Sequence, residues 1–122
     1  VSGELGLRKF LESNGHELVV TNSKDGDGNE ADKHIVDSDI VISQPFFPYY
    51  LTKEKIEKAK NLKMAITAGI GSDHVDLQAA MDHKIDVVEV TFCNSRSVAE
   101  HIVMMIVSMV RDYHNQHRII VL

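Results

Sequence analysis

The sequence predicts an α/β fold built on a parallel, doubly wound sheet. Short apolar runs recur at residues 17–21, 39–43, 63–67 and 85–90, and the segments between them carry helical spacing. Strands that alternate with helices pair in parallel, because a parallel neighbour is reached only by a crossover long enough to hold a helix. Size and composition agree: 122 residues with 43% hydrophobic and 25% charged content suit one compact unit with a modest core.

In chain order, Leu7, Phe10 and Leu11 set a helix over residues 3–13, and Asn14-Gly15 supplies a left-handed stop. Leu18, Val19 and Val20 lie together between turn formers and predict a buried strand at 17–21, followed by a polar loop. The runs at 39–43, 63–67 and 85–90 complete a four-stranded layer. Thr52 is the expected N-cap of a helix over 53–60, and Asp76 that of a helix over 77–82. Ser97-Val98-Ala99-Glu100 reads as a capping box before the apolar run 102–110, which predicts a last helix reaching about Tyr113.

Two features sit awkwardly in this layout. An α/β chain ordinarily begins with a strand, whereas this one opens on a helix, so a first strand upstream is expected. The last helix is apolar almost all round, with Val98, Ile102, Val103, Met105, Ile106, Val107, Met109 and Val110, and such a helix requires another layer or another subunit to cover it.

Charge and cysteine content exclude several roles. A net charge of -5 with acids and bases interspersed leaves no basic stripe for a phosphate backbone or an anionic lipid surface, so neither nucleic acid nor membrane is an expected partner. The one cysteine, Cys93, cannot close an intrachain disulfide, and no secretory h-region is present, which points to the cytoplasm. The seven histidines show neither HExxH spacing nor cysteine partners, so no metal is expected; no GxSxG elbow occurs. Asp25-Gly26-Asp27-Gly28-Asn29 imitates the start of a calcium loop, but Glu30 stands where the turn glycine belongs and Val36 where the bidentate glutamate belongs.

Three segments following predicted strands are candidates for chemistry, since ligands in parallel sheets gather beyond the carboxyl ends of strands. Thr67-Ala68-Gly69-Ile70-Gly71-Ser72-Asp73-His74-Val75-Asp76 fails as a dinucleotide fingerprint, because His74 holds the third glycine position and no helix opens at once. Its glycines would let a backbone N–H such as that of Ile70 approach a small ligand; the alternative is an ordinary glycine-rich turn. Gln44-Pro45-Phe46-Phe47-Pro48-Tyr49-Tyr50 either walls water from a reacting centre or simply packs a loop onto the core. In Phe92-Cys93-Asn94-Ser95-Arg96-Ser97 the Asn94 amide can donate to a carboxylate, and Ser95 with the helix-start N–H groups favours an anion. The alternative is pure N-capping by Asn94 and the serines. Cys93 reads as a buried small hydrophobe rather than a reactive thiol.

Val1-Ser-Gly-Glu-Leu-Gly-Leu-Arg8, Ile42-Ser-Gln-Pro-Phe46, Thr67-Ala-Gly-Ile-Gly-Ser-Asp-His-Val-Asp-Leu77, and Cys93-Asn-Ser95 with Ser97-Val-Ala-Glu-His101 together resemble bacterial NAD-dependent formate dehydrogenases, of the D-2-hydroxyacid dehydrogenase superfamily. Related 2-hydroxyacid dehydrogenases share the layout but usually lack Ser-Asp-His after the second glycine. The resemblance covers nearly the whole chain. It implies a flavodoxin-like substrate domain at 1–93 lacking its first strand, and at 94–122 a linker and long helix leading into a Rossmann domain not contained in this sequence. It further implies that formate is held by the backbone N–H of Ile70 and the amide of Asn94, as the catalytic pair. Pro45 and Phe46 would form part of a dry wall, Gly71 would lie beside the substrate, and Ser95 would touch the NAD cofactor. Homodimerisation through helix 97–113 is implied as well. Positions matching the family's carboxylate-clamping arginine and its histidine–glutamine pair are absent, so the chain alone is expected to be inactive. Arg96 stands where relatives generally carry an aliphatic residue, and residues 118–122 depart from the family pattern.

Two rivals remain on the sequence alone. One is a dehydrogenase for a larger 2-hydroxyacid, which activity on glyoxylate rather than formate would reveal. The other is a non-catalytic, dimerising α/β module, which would bind neither NAD nor formate analogues.

Overall fold

The computed structural model describes residues 6–22, 29–44 and 49–121. The chain divides into two compact units, Val1–Glu89 and Val90–Leu122, and each is treated by itself.

In the first unit, helix α1 (Leu7–Ser13) ends as expected at Asn14, and Gly15 takes a left-handed φ of 81° that a side chain would resist. Residues 16–22 then run without forming the predicted strand, and Val19 and Val20 are exposed. A short apolar run becomes a strand only if a neighbour accepts its backbone bonds. Here the carbonyl of Leu18 is taken instead by the Arg8 guanidinium at 2.8 Å. Helix α2 (Glu30–His34) replaces part of the expected polar loop. Asn29 starts it, its side chain accepting the Asp32 N–H at 2.9 Å, and acids in the first turn with bases in the last match the helix dipole. Asn29 is thus committed to a cap, while residues 25–28 of the calcium-like string lie outside the described residues.

Strands β1 (Ile40–Ser43), β2 (Met64–Thr67) and β3 (Asp86–Glu89) form a three-stranded parallel sheet in the order β1-β2-β3. The α/β class and the parallel pairing are those expected, although the layer has three described strands rather than four. Helices α3 (Lys53–Lys58) and α4 (Leu77–Asp82) form the connections. The Asp76 carboxylate caps α4 through the Ala79 N–H at 2.9 Å. Thr52 holds the N-cap position of α3 without a side-chain bond.

Burial alternates along the strands as a pleat requires. Val41, Ala65 and Val87 face a core built with Leu51, Ile56, Ala59, Leu62, Val75, Ala79, Ala80 and Ile85. Leu51 and Ile56 retain only 1% of their surface each. The opposite row, represented by Ile40, Ile42 and Val88, is exposed.

The second unit holds helices α5 (Ser95–Val110) and α6 (Tyr113–Val121), in neither of which is any described residue buried. The expected capping box is not formed: α5 begins at Ser95 with Asn94 in the N-cap position, three residues ahead of Ser97, which places Ser97 inside the helix. Glu100 bonds Arg96 across one turn at 3.0 Å, where the capping box would have it reach back to the Ser97 N–H. The predicted run to Tyr113 stops at Val110, because Asp112 turns to a φ of 51° and redirects the chain into α6. No described helix is long and apolar enough to cross a membrane.

Candidate functional site

The last rung of the sheet is polar. Register pairs Ser43 with Thr67 and Thr67 with Glu89, each the final residue of its strand. Residues in register share a face, so all three project on the side that carries the core. Each fastens a loop at the carboxyl edge. The Ser43 hydroxyl accepts the Tyr49 N–H at 3.0 Å. The Thr67 hydroxyl meets His74 Nε2 at 3.3 Å, and the Glu89 carboxylate accepts the Gly71 N–H at 2.5 Å. A polar side chain here costs little, since its partner is supplied by the backbone or side chain of the loop above it.

Residues 68–76 are consequently held along their length. The Ala68 N–H reaches the Ser43 carbonyl at 2.7 Å, and Leu51 bonds the His74 carbonyl at 2.8 Å and receives the Asp76 N–H at 3.0 Å. Within that frame Gly71 has a φ of 100°, a conformation side-chain-bearing residues rarely adopt. The neighbouring Ile70 N–H has no acceptor among the described residues, and the Ile70 side chain is exposed. With the Gly69 N–H, that of Ile70 lies in a stretch held at Ala68 and at Gly71, and an unclaimed backbone donor in a held turn is what a small carboxylate needs. His74 is buried at 8% exposure. Burial pushes its pKa below 6.5, opposed in part by the Asp73 charge, and so favours the neutral ring.

Of the other candidates, Pro45 and Phe46 lie outside the described residues. The end of their loop is anchored: Tyr49 donates its hydroxyl to Asp32 at 2.6 Å, and Lys55 lies over the Tyr49 ring while pairing with Asp32 at 3.3 Å. Asn94 stands at the N-cap position of α5; its side-chain oxygen makes no capping bond, and its amide donates to none of the described residues. Ser95 is the first residue of that helix, and both are exposed. Cys93 is exposed too, which corrects the expectation of a buried small hydrophobe; Phe92 beside it turns at a φ of 61°. The described residues hold no cluster of three or more potential metal ligands, among histidine, cysteine and the acids.

The structure thus brings Ile70 and Gly71 into one fixed turn, and Asn94 and Ser95 to one helix start. Glu89 was missed in the sequence. The available signal was an acid alternating onto the same face as Val87, at the end of a strand that leads toward a candidate loop.

Comparison with known proteins places this geometry in context. The model of the D-isomer specific 2-hydroxyacid dehydrogenase catalytic domain matches residues 5–112. The formate dehydrogenase of Pseudomonas sp. (strain 101) is 68% identical over 117 residues, covering 96% of this chain and 29% of that protein. Among solved structures, a Granulicella m. formate dehydrogenase is 59% identical with a TM-score of 0.88, over 98% of this chain and 32% of that one. An NAD-dependent formate dehydrogenase from Staphylococcus aureus, in complex with NAD, is 53% identical with a TM-score of 0.84, over 96% and 34%. The chain therefore spans about a third of the length of the relatives it matches.

Proposed function

The chain belongs to the D-isomer specific 2-hydroxyacid dehydrogenase catalytic-domain family, and from that premise we propose that it is the formate-holding portion of an NAD-dependent formate dehydrogenase. The reaction is formate plus NAD+ to CO2 plus NADH by direct hydride transfer. What carries this reading is the unclaimed Ile70 N–H, fixed at the carboxyl edge of the sheet in a chain so similar to known formate dehydrogenases.

The chemistry asks little of side chains. Formate gives up its hydrogen with both bonding electrons and leaves as CO2, so no proton is abstracted and no general base is needed. The Ile70 N–H is assigned to one carboxylate oxygen and the Asn94 amide to the substrate as a second donor. Both donors bind the charged carboxylate better than neutral CO2, so their contribution is orientation of the C–H bond rather than selective stabilisation of the transition state. Hydride transfer neutralises an anion and a cation, and a dry surrounding favours that loss of charge. Pro45 and Phe46 are assigned to the dry wall, and Gly71 to the substrate's side.

NAD+ supplies the hydride-accepting ring when bound. The residue of this chain assigned to it is Ser95, whose place at the exposed start of a 16-residue helix suits an anionic group. The carboxylate-clamping arginine and most of the nucleotide site are assigned to the further length that the relatives possess. We assign α5 to a contact with a second copy of the chain, because Ile102, Ile106 and Val110 are each at least half exposed. The exposed free thiol of Cys93 suits a reducing compartment, and the cytoplasm is the proposed location.

Formate oxidation, followed as NADH absorbance, tests the reading on the full-length protein that carries this chain. Turnover with formate and none with glyoxylate is expected; the reverse would sink it. The 122-residue chain alone is expected to produce no NADH above background. Light scattering at micromolar concentration is expected to give a dimer mass, and a monomer would remove the role given to α5.

A further inference from the structure

We propose that Glu89 is a positioning residue for the substrate-binding turn: its carboxylate occupies the Gly71 N–H and so fixes the turn in which the Ile70 N–H is left to a ligand. The inference rests on the formate reading above and deepens it.

Glu89 is fixed by its register opposite Thr67, on the face of the sheet that carries the core. Its side chain is half-buried, although the strand it ends is exposed at alternate positions. A carboxylate withdrawn from water needs hydrogen bonds, and the Gly71 N–H supplies one. The same bond decides how the turn is used. Gly69, Ile70 and Gly71 present consecutive N–H groups, and glycine at 71 has the conformational freedom to point its own in several directions. Once the Ala68 N–H is committed to the Ser43 carbonyl at one end and the Gly71 N–H to Glu89 at the other, the peptides between them have little freedom left. The Ile70 N–H then meets a ligand without reorganisation, the condition under which a single donor orients a one-carbon carboxylate. With Gly71 released, a further adjacent donor would compete for the same oxygen in a turn free to rotate.

An alternative role for Glu89 is electrostatic: a negative charge beside an anion site opposes formate, and removing it would tighten binding. The two roles predict opposite signs. The test is steady-state kinetics on the full-length protein with Glu89→Ala and Glu89→Gln. For Glu89→Ala, a rise of about tenfold in the formate KM is expected, the scale of one lost charge-assisted hydrogen bond. The KM for NAD should remain unchanged. Glu89→Gln keeps an oxygen that can accept the Gly71 N–H, and is expected to recover most of the loss. A formate KM that falls or stays constant overturns the proposal, as does a parallel rise in both KM values or a glutamine variant no better than alanine. Should Glu89→Ala fail to fold, the Gly71 amide proton resonance is compared between wild type and Glu89→Gln. Replacing a charged acceptor by a neutral one is expected to move it upfield more than that of Ser72, and no such movement overturns the proposal. Wild-type protein that fails to oxidise formate would defeat the proposed function, while the amide comparison would still decide whether Glu89 holds the turn.

Discussion

Ile56 and Ile106 are the same residue on two helices, and they meet opposite fates. Ile56, on α3 in the first unit, is enclosed by the core; Ile106, on α5 in the second, keeps half its surface in contact with solvent. Neither hydrophobicity nor helical spacing separates them. The difference is the supply of partners: the sheet gives α3 and α4 an apolar row to cover, while in the second unit no described side chain is buried. Burial is a property of a pair of surfaces, and an apolar helix by itself has only one.

That contrast breaks or holds on measurable grounds. Ile56→Ala is expected to cost about 2–5 kcal/mol, since it removes core methylenes and leaves a cavity, as read by urea unfolding of the chain. A cost below about 1 kcal/mol would mean that the core of the first unit is not the rigid one described. Thr67→Val should cost about 1–3 kcal/mol, because it keeps the shape but leaves buried His74 without its hydroxyl partner. Acid sharpens the same feature. The folded pKa of His74 lies below 6.5, so on acidification the unfolded chain takes up the proton first. Its contribution is therefore intact above 6.5 and is lost as the pH falls below it, levelling off once the folded ring also protonates. His74→Gln should flatten the dependence of the urea midpoint between about pH 7.5 and 5.5; an unchanged slope would locate the acid sensitivity elsewhere. The smallest effect is expected at Ile106→Ala, within about 0.5 kcal/mol in the monomeric chain, where little contact is lost and helix propensity improves. A large cost at Ile106 would show that α5 is enclosed after all, which a mass measurement on the same sample would trace to association.

How much of this was legible depended on the range of the interaction involved. Three of four strands and the helix at 77–82 were readable, because short apolar runs and the Asp76 cap are decided within a few residues. The strand expected at 17–21 had an adequate apolar pattern and no neighbour among the described residues. The capping box at Ser97 had the right residues, but the helix had already started at Ser95. Among the site residues, the candidate turn at 69–71 could be found from its glycines and its place after a strand. Glu89 could not, since the contact that gives it meaning spans 18 positions.

The sequence by itself determined the α/β class, the parallel strands and the candidate loops, because each follows from local periodicity and turn chemistry. Only the tertiary structure decided that Ser43, Thr67 and Glu89 form one polar rung and that the Ile70 N–H is left unclaimed. Strand register places those three side together on one face, and register is settled by pairing between segments that no local pattern brings together.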